Sequence, residues 1–129
     1  MKHVWLIDDD EVFVFLTKKL IARSEQEVSL ETYTNGQDAI EQLQRLAGNE
    51  AALPDLILLD LNMPVMDGWE FLKAYGQIPF ATSSKIRLYI VTSSISPYEV
   101  ERAKQIPAVE EFIVKPMVKE KFVDLICAL

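Results

Sequence analysis

The most reactive side chains in this sequence are acidic, and they lie in two separate places. Asp8, Asp9 and Asp10 follow a short apolar run near the amino terminus, and Asp60 follows a second apolar run. If the fold brings these carboxylates together, they repel one another and at least one pKa must rise. A divalent cation removes that repulsion, and Mg²⁺ suits the role because it prefers oxygen ligands. The acidic residues therefore predict a magnesium site, to which the backbone carbonyl of Asn62 adds a further oxygen.

Asp60 is also a candidate nucleophile, because a carboxylate can attack phosphorus and form an aspartyl phosphate. Two later residues supply what such a reaction needs. Lys115 offers a positive charge to a phosphoryl oxygen, and Thr92 offers a hydroxyl donor. Phosphoryl transfer depends mainly on positioning and on neutralising charge, so this small set of groups is sufficient. The chemistry that these residues predict is the acceptance of a phosphoryl group on Asp60.

These residues can act together only if secondary structure brings them to one place. Short apolar runs predict β-strands at 4–7, 28–33, 56–59, 86–91 and 112–114. Amphipathic segments predict α-helices at 11–24, between 35 and 48, at 69–75, from 97 to before Pro107, and from 118 to the carboxyl terminus. Residues 76–84 are expected to form a connection.

Several of the predicted helices carry start signals. Asn35 with Asp38 predicts a variant of the capping box, and Ser96 with Pro97 and Glu99 predicts a capped start with proline in the first turn. Asp10 is expected to cap the first helix. That helix is expected to place four apolar residues on one side: Val12, Phe15, Leu16 and Leu20.

The alternation of strands and helices predicts an α/β fold, a doubly wound five-stranded parallel sheet with helices on both faces. The expected strand order is 2-1-3-4-5, as in flavodoxin-like proteins, whose ligands bind where the first and third strands meet. The candidate groups all fall at the carboxyl ends of strands, and the outer second strand contributes none. One edge of the sheet is therefore expected to hold Asp8, Asp9, Asp60, Thr92 and Lys115.

Composition narrows the class of protein. A length of 129 residues, half of them hydrophobic, indicates a single domain with a real core. The net charge of −7 argues against nucleic-acid binding, which relies on clustered Lys and Arg. The apolar runs are too short for a signal peptide or a membrane span, so the expected location is the cytoplasm. Cys127, the single cysteine, lies in an apolar run and is expected to be buried.

Five motifs recur in an order that is specific in combination, although each alone would be weak. They are Leu6-Ile7-Asp8-Asp9-Asp10, Leu58-Leu59-Asp60-Leu61-Asn62-Met63-Pro64, Asp67-Gly68, Val91-Thr92-Ser93 and Val114-Lys115-Pro116. On these motifs, the sequence resembles the receiver domains of two-component response regulators. The resemblance covers essentially the whole chain. The resemblance implies that residues 1–129 form one stand-alone receiver domain, similar to a chemotaxis regulator.

The resemblance also implies a role for each matching residue. Asp60 corresponds to the phosphoacceptor, and Asp8 and Asp9 correspond to the acidic pair that holds Mg²⁺, with Asp9 the more direct ligand. The Asn62 carbonyl corresponds to the third protein ligand of the metal.

The remaining matches concern the switch. Thr92 corresponds to the hydroxyl that moves toward the phosphoryl group, and Lys115 to the family lysine, whose bond to Pro116 is expected to be cis. Phe112 occupies the position of an aromatic that changes rotamer with the threonine, and burial in the core explains it equally well. The sequence departs from the family at Val109-Glu110-Glu111, where a glycine is frequent, and in lacking a hydroxyl cap before the last helix.

The partners that the resemblance implies are a sensor histidine kinase or a histidine phosphotransfer protein, and a downstream target protein. The chain is expected to be a monomer or weak homodimer that binds neither nucleic acid nor membrane, and to turn over no small substrate.

Two other interpretations stay open. Haloacid-dehalogenase-type phosphatases use similar groups, but they usually carry a second aspartate where this chain has Asn62. A pseudo-receiver would keep the fold as an interaction module with a silent site.

Overall fold

The centre of the molecule is a parallel β-sheet. In this computed structural model, which describes residues 1–78, 85–93 and 96–129, the strands are β1 (Lys2–Ile7), β2 (Val28–Tyr33), β3 (Leu56–Leu59), β4 (Arg87–Thr92) and β5 (Val109–Val114). They pair in the order β2-β1-β3-β4-β5, and every pairing is parallel. The predicted fold class and strand order are confirmed.

Helices cover both faces of the sheet. They are α1 (Glu11–Arg23), α2 (Gly36–Arg45), α3 (Gly68–Gly76), α4 (Pro97–Lys104) and α5 (Lys119–Cys127), and a 3₁₀ turn spans Glu50–Ala52. The core on one face includes Phe13 of α1 and Phe122 of α5. The core on the other face includes Leu43 of α2, Phe71 of α3 and Ala103 of α4. Each helix therefore buries an apolar side against the sheet, as a layered α/β domain requires.

Side-chain alternation explains why β3 is apolar at every position. Leu56 and Leu58 pack on the face that α1 and α5 cover, whereas Ile57 and Leu59 pack on the opposite face. All four are fully buried, as expected for a strand covered on both sides. Burying one such side chain stabilises the fold by about 1.5–3 kcal/mol relative to leaving it exposed. The strand that leads into Asp60 is therefore firmly held.

Local hydrogen bonds begin the helices where the sequence predicts. Asp10 accepts from backbone N–H groups in the first turn of α1, Asn35 accepts from that of Asp38, and Ser96 accepts from that of Glu99. A cap of this type contributes about 1 kcal/mol. The start of α5 has no side-chain cap, in agreement with the missing hydroxyl.

Helix α1 is present as predicted, but of the four apolar residues expected on one side only Leu20 packs against the core. Val12, Phe15 and Leu16 are 67%, 56% and 50% exposed, respectively. Phe13 and Thr17 are buried instead. Two apolar sides compete in this helix, and packing of Phe13 against the sheet and α5 decides between them. An exposed apolar strip is left on the surface.

The prediction for Cys127 is wrong, because this residue is exposed. The apolar run at the carboxyl terminus winds around α5, so only part of it can face the sheet. Phe122, Leu125 and Ile126 occupy that buried side, and Cys127 falls on the other.

Strand β5 begins earlier than predicted. Val109 opens it, although Glu110 and Glu111 are exposed. The pairing with β4 passes from Leu88 opposite Val109 to Tyr89 opposite Glu111, so Glu110 is the extra residue of a β-bulge. Charged residues are common on edge strands, and they hide the strand from an analysis based on apolar runs.

The connection predicted at 76–84 falls largely outside the described residues. Among the helices of the described residues, none is long and apolar enough to cross a membrane.

Gly68 generates a stability prediction. A Cβ at this position would lie 2.5 Å from the carbonyl oxygen of Asp60 and 2.7 Å from the Cα of Leu61. Both are backbone atoms, so the segment that carries Asp60 must move to accept a methyl group. We expect Gly68→Ala to destabilise the protein by about 1–3 kcal/mol in urea unfolding.

Gly76→Ala is the matched control, since no atom lies within 4 Å of a Cβ built there. Alanine is favoured over glycine in a helix by about 0.5–1 kcal/mol, so this variant should be no less stable than the wild type. Similar unfolding midpoints for the two variants would contradict the close approach at Gly68.

Candidate functional site

Parallel pairing brings two acidic residues side by side. Ile7 of β1 lies opposite Leu59 of β3. The residues that follow them, Asp8 and Asp60, therefore leave the sheet side by side. The backbone N–H of Asp60 donates to the carbonyl of Ile7 over 2.9 Å. Asp8 and Asp60 are buried, Asp9 is exposed, and the three offer carboxylate oxygens that all lie within 4.8 Å of one another.

Backbone donors orient the two buried carboxylates. Leu61 N–H donates to Asp60 Oδ1 over 2.9 Å, and Asp10 N–H donates to Asp8 Oδ1, also over 2.9 Å. Each bond occupies one oxygen and leaves the other oxygen, Oδ2, for a different partner. Both Oδ2 atoms lie within 4 Å of the Lys115 ammonium.

Lys115 supplies the positive charge of the site. It follows β5, and its backbone N–H donates to the carbonyl of Thr92 over 2.8 Å. Its Nζ lies 2.8 Å from Asp8 Oδ2, 3.6 Å from Asp10 Oδ2 and 3.9 Å from Asp60 Oδ2. The contact with Asp8 is a buried ion pair. One buried ammonium is thus shared among three carboxylates. The predicted cis bond between Lys115 and Pro116 is present.

Thr92 is the last residue of β4 and is 1% exposed. Its hydroxyl has no hydrogen-bond partner in the part of the chain that the structure describes. A buried hydroxyl without a partner costs about 1–3 kcal/mol, so it is an unusual group to keep in a strand. The unmet hydrogen bond is consistent with a ligand that the hydroxyl can reach.

Burial and mutual repulsion perturb the titration of these acids. Burial raises the pKa of Asp60 to about 6, and the nearby Asp8 carboxylate adds to the rise while Lys115 opposes it. Burial likewise raises the pKa of Asp8, against the lowering effect of Lys115. The pKa of exposed Asp10 is lowered, mainly because the Phe13 N–H donates to its carboxylate. Asp8 and Asp60 are therefore the acids of the cluster whose charged forms the folded state disfavours.

The loop after β3 completes the surroundings of Asp60. Asn62 is exposed in this loop. Val65 has a φ of 67°, a left-handed conformation that is costly for a β-branched residue. Met66 then anchors the loop, because its carbonyl accepts from the N–H of Gly36 at the start of α2 over 3.0 Å. The sequence predicts the loop but carries no signal for the strain at Val65.

The predicted switch aromatic, Phe112, lies on β5 and is half-buried against the core that α2, α3 and α4 cover. That position is compatible with either of the two interpretations left open by the sequence.

One neighbour of the site was missed by sequence reasoning. The ring of Phe13 lies against the Lys115 ammonium, 4.4 Å from Nζ to the ring centre. Several aromatic residues follow the acidic cluster in the sequence, and nothing in their spacing distinguishes Phe13 from Phe15. Only the orientation of α1 does so.

The donor set fits a hard divalent cation. Asp8, Asp9 and Asp60 offer carboxylate oxygens, which suit Mg²⁺ and would be neutralised by it. Burial raises the pKa values of Asp8 and Asp60, and a bound cation would favour their charged forms.

The raised pKa of Asp60 makes a prediction about stability. A carboxyl whose pKa is higher in the folded state stabilises that state at low pH and loses this contribution as pH rises through about 6. In EDTA at pH 7.5, Asp60→Asn should therefore be more stable than the wild type, by about 1–3 kcal/mol from a shift of this size. The gain should shrink toward pH 4. Urea unfolding at a series of pH values measures it.

Glu27→Gln is the control for this pH series, because Glu27 is an exposed acid that precedes β2. Its stability should follow that of the wild type at every pH. A Glu27→Gln profile like that of Asp60→Asn, or no pH-dependent gain for Asp60→Asn, would show that the buried carboxylate pair is not under strain.

Comparison with known proteins agrees with this geometry. Residues 4–127 match the response regulator receiver domain family. The chemotaxis protein CheY of Thermotoga maritima is 30% identical over 127 residues, covering 95% of this chain and 92% of that protein. The CheY of Bacillus subtilis is 31% identical over 127 residues, covering 98% and 96%. A two-component response regulator from Cytophaga hutchinsonii superposes with a TM-score of 0.87 at 27% identity, covering 99% and 96% of the two chains. The chain belongs to the receiver domain family of two-component response regulators.

Proposed function

We propose that this chain is a phosphorylation switch, in which Asp60 accepts a phosphoryl group in the presence of Mg²⁺ and the change alters a protein-binding surface. Receiver domains bind Mg²⁺ at an acidic pocket and are phosphorylated by histidine kinases. The observation that carries the proposal for this chain is the buried Asp60 carboxylate, which lies within 4.8 Å of oxygens of Asp8 and Asp9 and 3.9 Å from the Lys115 ammonium.

The acceptor step needs one bond to form and one to break. A carboxylate oxygen of Asp60 attacks phosphorus, the bond from phosphorus to the donor's nitrogen or oxygen breaks, and the leaving group keeps that electron pair. We assign this attack to Oδ2, which lies 3.9 Å from the Lys115 ammonium, while Oδ1 accepts from Leu61 N–H. Asp8, Asp9, Asp60 and the Asn62 carbonyl would hold Mg²⁺, which would supply positive charge near the acceptor and the phosphoryl group.

Lys115 and Thr92 act on the phosphoryl group after it arrives. The Lys115 ammonium neutralises one phosphoryl oxygen, and because its side chain is 9% exposed, water screens that attraction only weakly. The Thr92 hydroxyl donates to another phosphoryl oxygen and so gains the hydrogen bond that it lacks in the unphosphorylated chain. Because Lys115 and Thr92 both contact the phosphoryl group, the ends of β5 and β4 are drawn toward Asp60.

Helix α4 transmits the change. It is the helix that follows β4 in the chain, so a shift of Thr92 toward Asp60 is passed along the chain to α4. Arg102 of α4 lies over the ring of Trp69 of α3, 4.2 Å from guanidinium carbon to ring centre. In this proposal α4 moves and α3 stays near the site, so the contact between them changes. Trp69 therefore provides an intrinsic fluorescent reporter.

The phosphoryl donor in this proposal is a sensor histidine kinase or a histidine phosphotransfer protein. A downstream protein then reads the altered surface. The family is a signalling module rather than an enzyme that turns over small substrates. Asn62 stands where a phosphatase of the haloacid-dehalogenase type needs an acid, and an amide cannot exchange the proton.

The first test is phosphorylation by a small donor. The protein is incubated with acetyl phosphate, with and without Mg²⁺, and its intact mass is recorded. We expect a Mg²⁺-dependent gain of one phosphoryl group that is absent in Asp60→Asn. Asp124→Asn, which removes an exposed carboxylate of α5, is the matched control and should be phosphorylated like the wild type.

The contrary outcome has a specific meaning. If acetyl phosphate adds no mass and beryllium fluoride with Mg²⁺ leaves the tryptophan fluorescence unchanged, the site is silent and the chain is an interaction module. Equal phosphorylation of Asp60→Asn would place the acceptor elsewhere.

A second test concerns the switch hydroxyl. Thr92→Val removes a buried hydroxyl that has no partner in the described residues, so it should cost less than about 1 kcal/mol in urea unfolding. It should nevertheless weaken the change in tryptophan fluorescence on adding beryllium fluoride and Mg²⁺, because the hydroxyl that follows the phosphoryl group is gone.

Ser24→Ala is the control for this experiment. Ser24 is also buried, but its hydroxyl donates to the carbonyl of Ile21 over 2.7 Å at the carboxyl end of α1. Its loss should leave the fluorescence response intact. A full response in Thr92→Val would remove Thr92 from the switch.

A further inference from the structure

The Lys115 ammonium has an aromatic neighbour as well as acidic ones. Its Nζ lies 4.4 Å from the centre of the Phe13 ring, within the distance of about 6 Å at which a ring face attracts an ammonium. The Lys115 side chain is 9% exposed and Phe13 is 6% exposed. Little water therefore competes for the ammonium, and the attraction is stronger than at a protein surface.

The ring is held in place by several independent contacts. The N–H of Phe13 donates to the capping carboxylate of Asp10 over 3.2 Å, and its carbonyl accepts from the Thr17 hydroxyl over 2.8 Å. The side chain packs in the core that α1 and α5 share. Phe13 therefore presents a fixed surface to the more flexible lysine side chain.

Ion pairs alone do not place Lys115 where the proposed reaction needs it. Its nearest carboxylate is Asp8, at 2.8 Å, whereas Asp60 is 3.9 Å away. A divalent cation bound by Asp8 competes for the same oxygens and repels the ammonium. The Phe13 ring attracts the ammonium without carrying a net charge. Its attraction persists when the carboxylates are engaged, and it leaves the positive charge available.

We infer that Phe13 is a positioning residue of the Asp60 site, whose ring face holds the Lys115 ammonium within reach of the phosphoryl group. The inference rests on the proposed function, because it assigns Phe13 a role through Lys115. Phe13 lies on α1 and acts through Lys115. A description of the site by its acidic residues alone omits it.

The chain contains an internal comparison. Lys19 lies over the ring of Phe15 on the same helix, with 5.1 Å from Nζ to the ring centre. Phe15 is 56% exposed, so water surrounds this pair and weakens it. A lysine–phenylalanine contact is thus found both in the site and on the surface, with rings two residues apart on α1.

The test replaces Phe13 by singly, doubly and triply fluorinated phenylalanine. Fluorine withdraws electron density from the ring face and weakens its attraction for a cation, with little change in size. The readout is the rate of phosphorylation by acetyl phosphate at saturating Mg²⁺. We expect a graded fall, reaching about tenfold for the triply fluorinated ring. The same series at Phe15 is the control and should leave the rate unchanged.

A second readout does not depend on the reaction. In the metal-free protein, the ring current of Phe13 should shift the NMR signals of the Lys115 methylene protons beside the ammonium. Phe13→Leu, which keeps an apolar side chain there, should abolish that shift. An unshifted wild-type signal would overturn the contact itself.

The outcomes separate the two hypotheses. A rate that stays constant across the Phe13 series, in a protein that is phosphorylated, overturns the positioning role and leaves the proposed function standing. A wild-type protein that takes up no phosphoryl group and ignores beryllium fluoride overturns the proposed function, and the positioning role falls with it. A graded loss at Phe13 without loss at Phe15 supports both.

Discussion

The pairing of β1 with β3 ends in two carboxylates, and the repulsion between them is the constraint on which the rest of the site depends. Asp8 and Asp60 are adjacent because Ile7 and Leu59 are partners in the register. Both are buried, so water cannot screen them. The fold tolerates this arrangement because apolar residues on both faces of β3 hold the strand in place. The hydrophobic core in effect holds together two charges that would otherwise separate.

The charge balance of the site follows from that constraint. Lys115 is the ammonium within 4 Å of Asp8, Asp10 and Asp60 in the described chain, and one positive charge does not neutralise them. Burial, together with the nearby Asp8 carboxylate, raises the pKa of Asp60 to about 6, which reflects the cost of keeping this acid charged. The carboxylate cluster could hold a divalent cation, and the Thr92 hydroxyl has no partner among the described residues. In the proposed function, metal, lysine and hydroxyl would be complementary parts of one electrostatic arrangement.

The junction of β1 and α1 contributes more to the site than its acidic residues suggest. Within a few positions it supplies Asp8 to the buried pair, Asp10 to the helix cap, and Phe13 to the Lys115 ammonium. The cap fixes the first turn of α1, and the first turn fixes the ring. Local helix chemistry, core packing and the electrostatics of the site are therefore linked in a single short segment.

The sequence alone determined the fold class, the strand order and the edge of the sheet where the polar residues meet, because these depend on the alternation of apolar runs and on motifs at strand ends. It also determined the helix caps, which are local. It did not determine the start of β5, since exposed glutamates on an edge strand resemble a loop. Nor did it determine which side of α1 or α5 is buried, as Phe15, Leu16 and Cys127 show. Such choices depend on contacts between residues far apart in the chain. The contact of Phe13 with Lys115 belongs to the same class, because only tertiary packing brings the first turn of one helix against the end of the last strand.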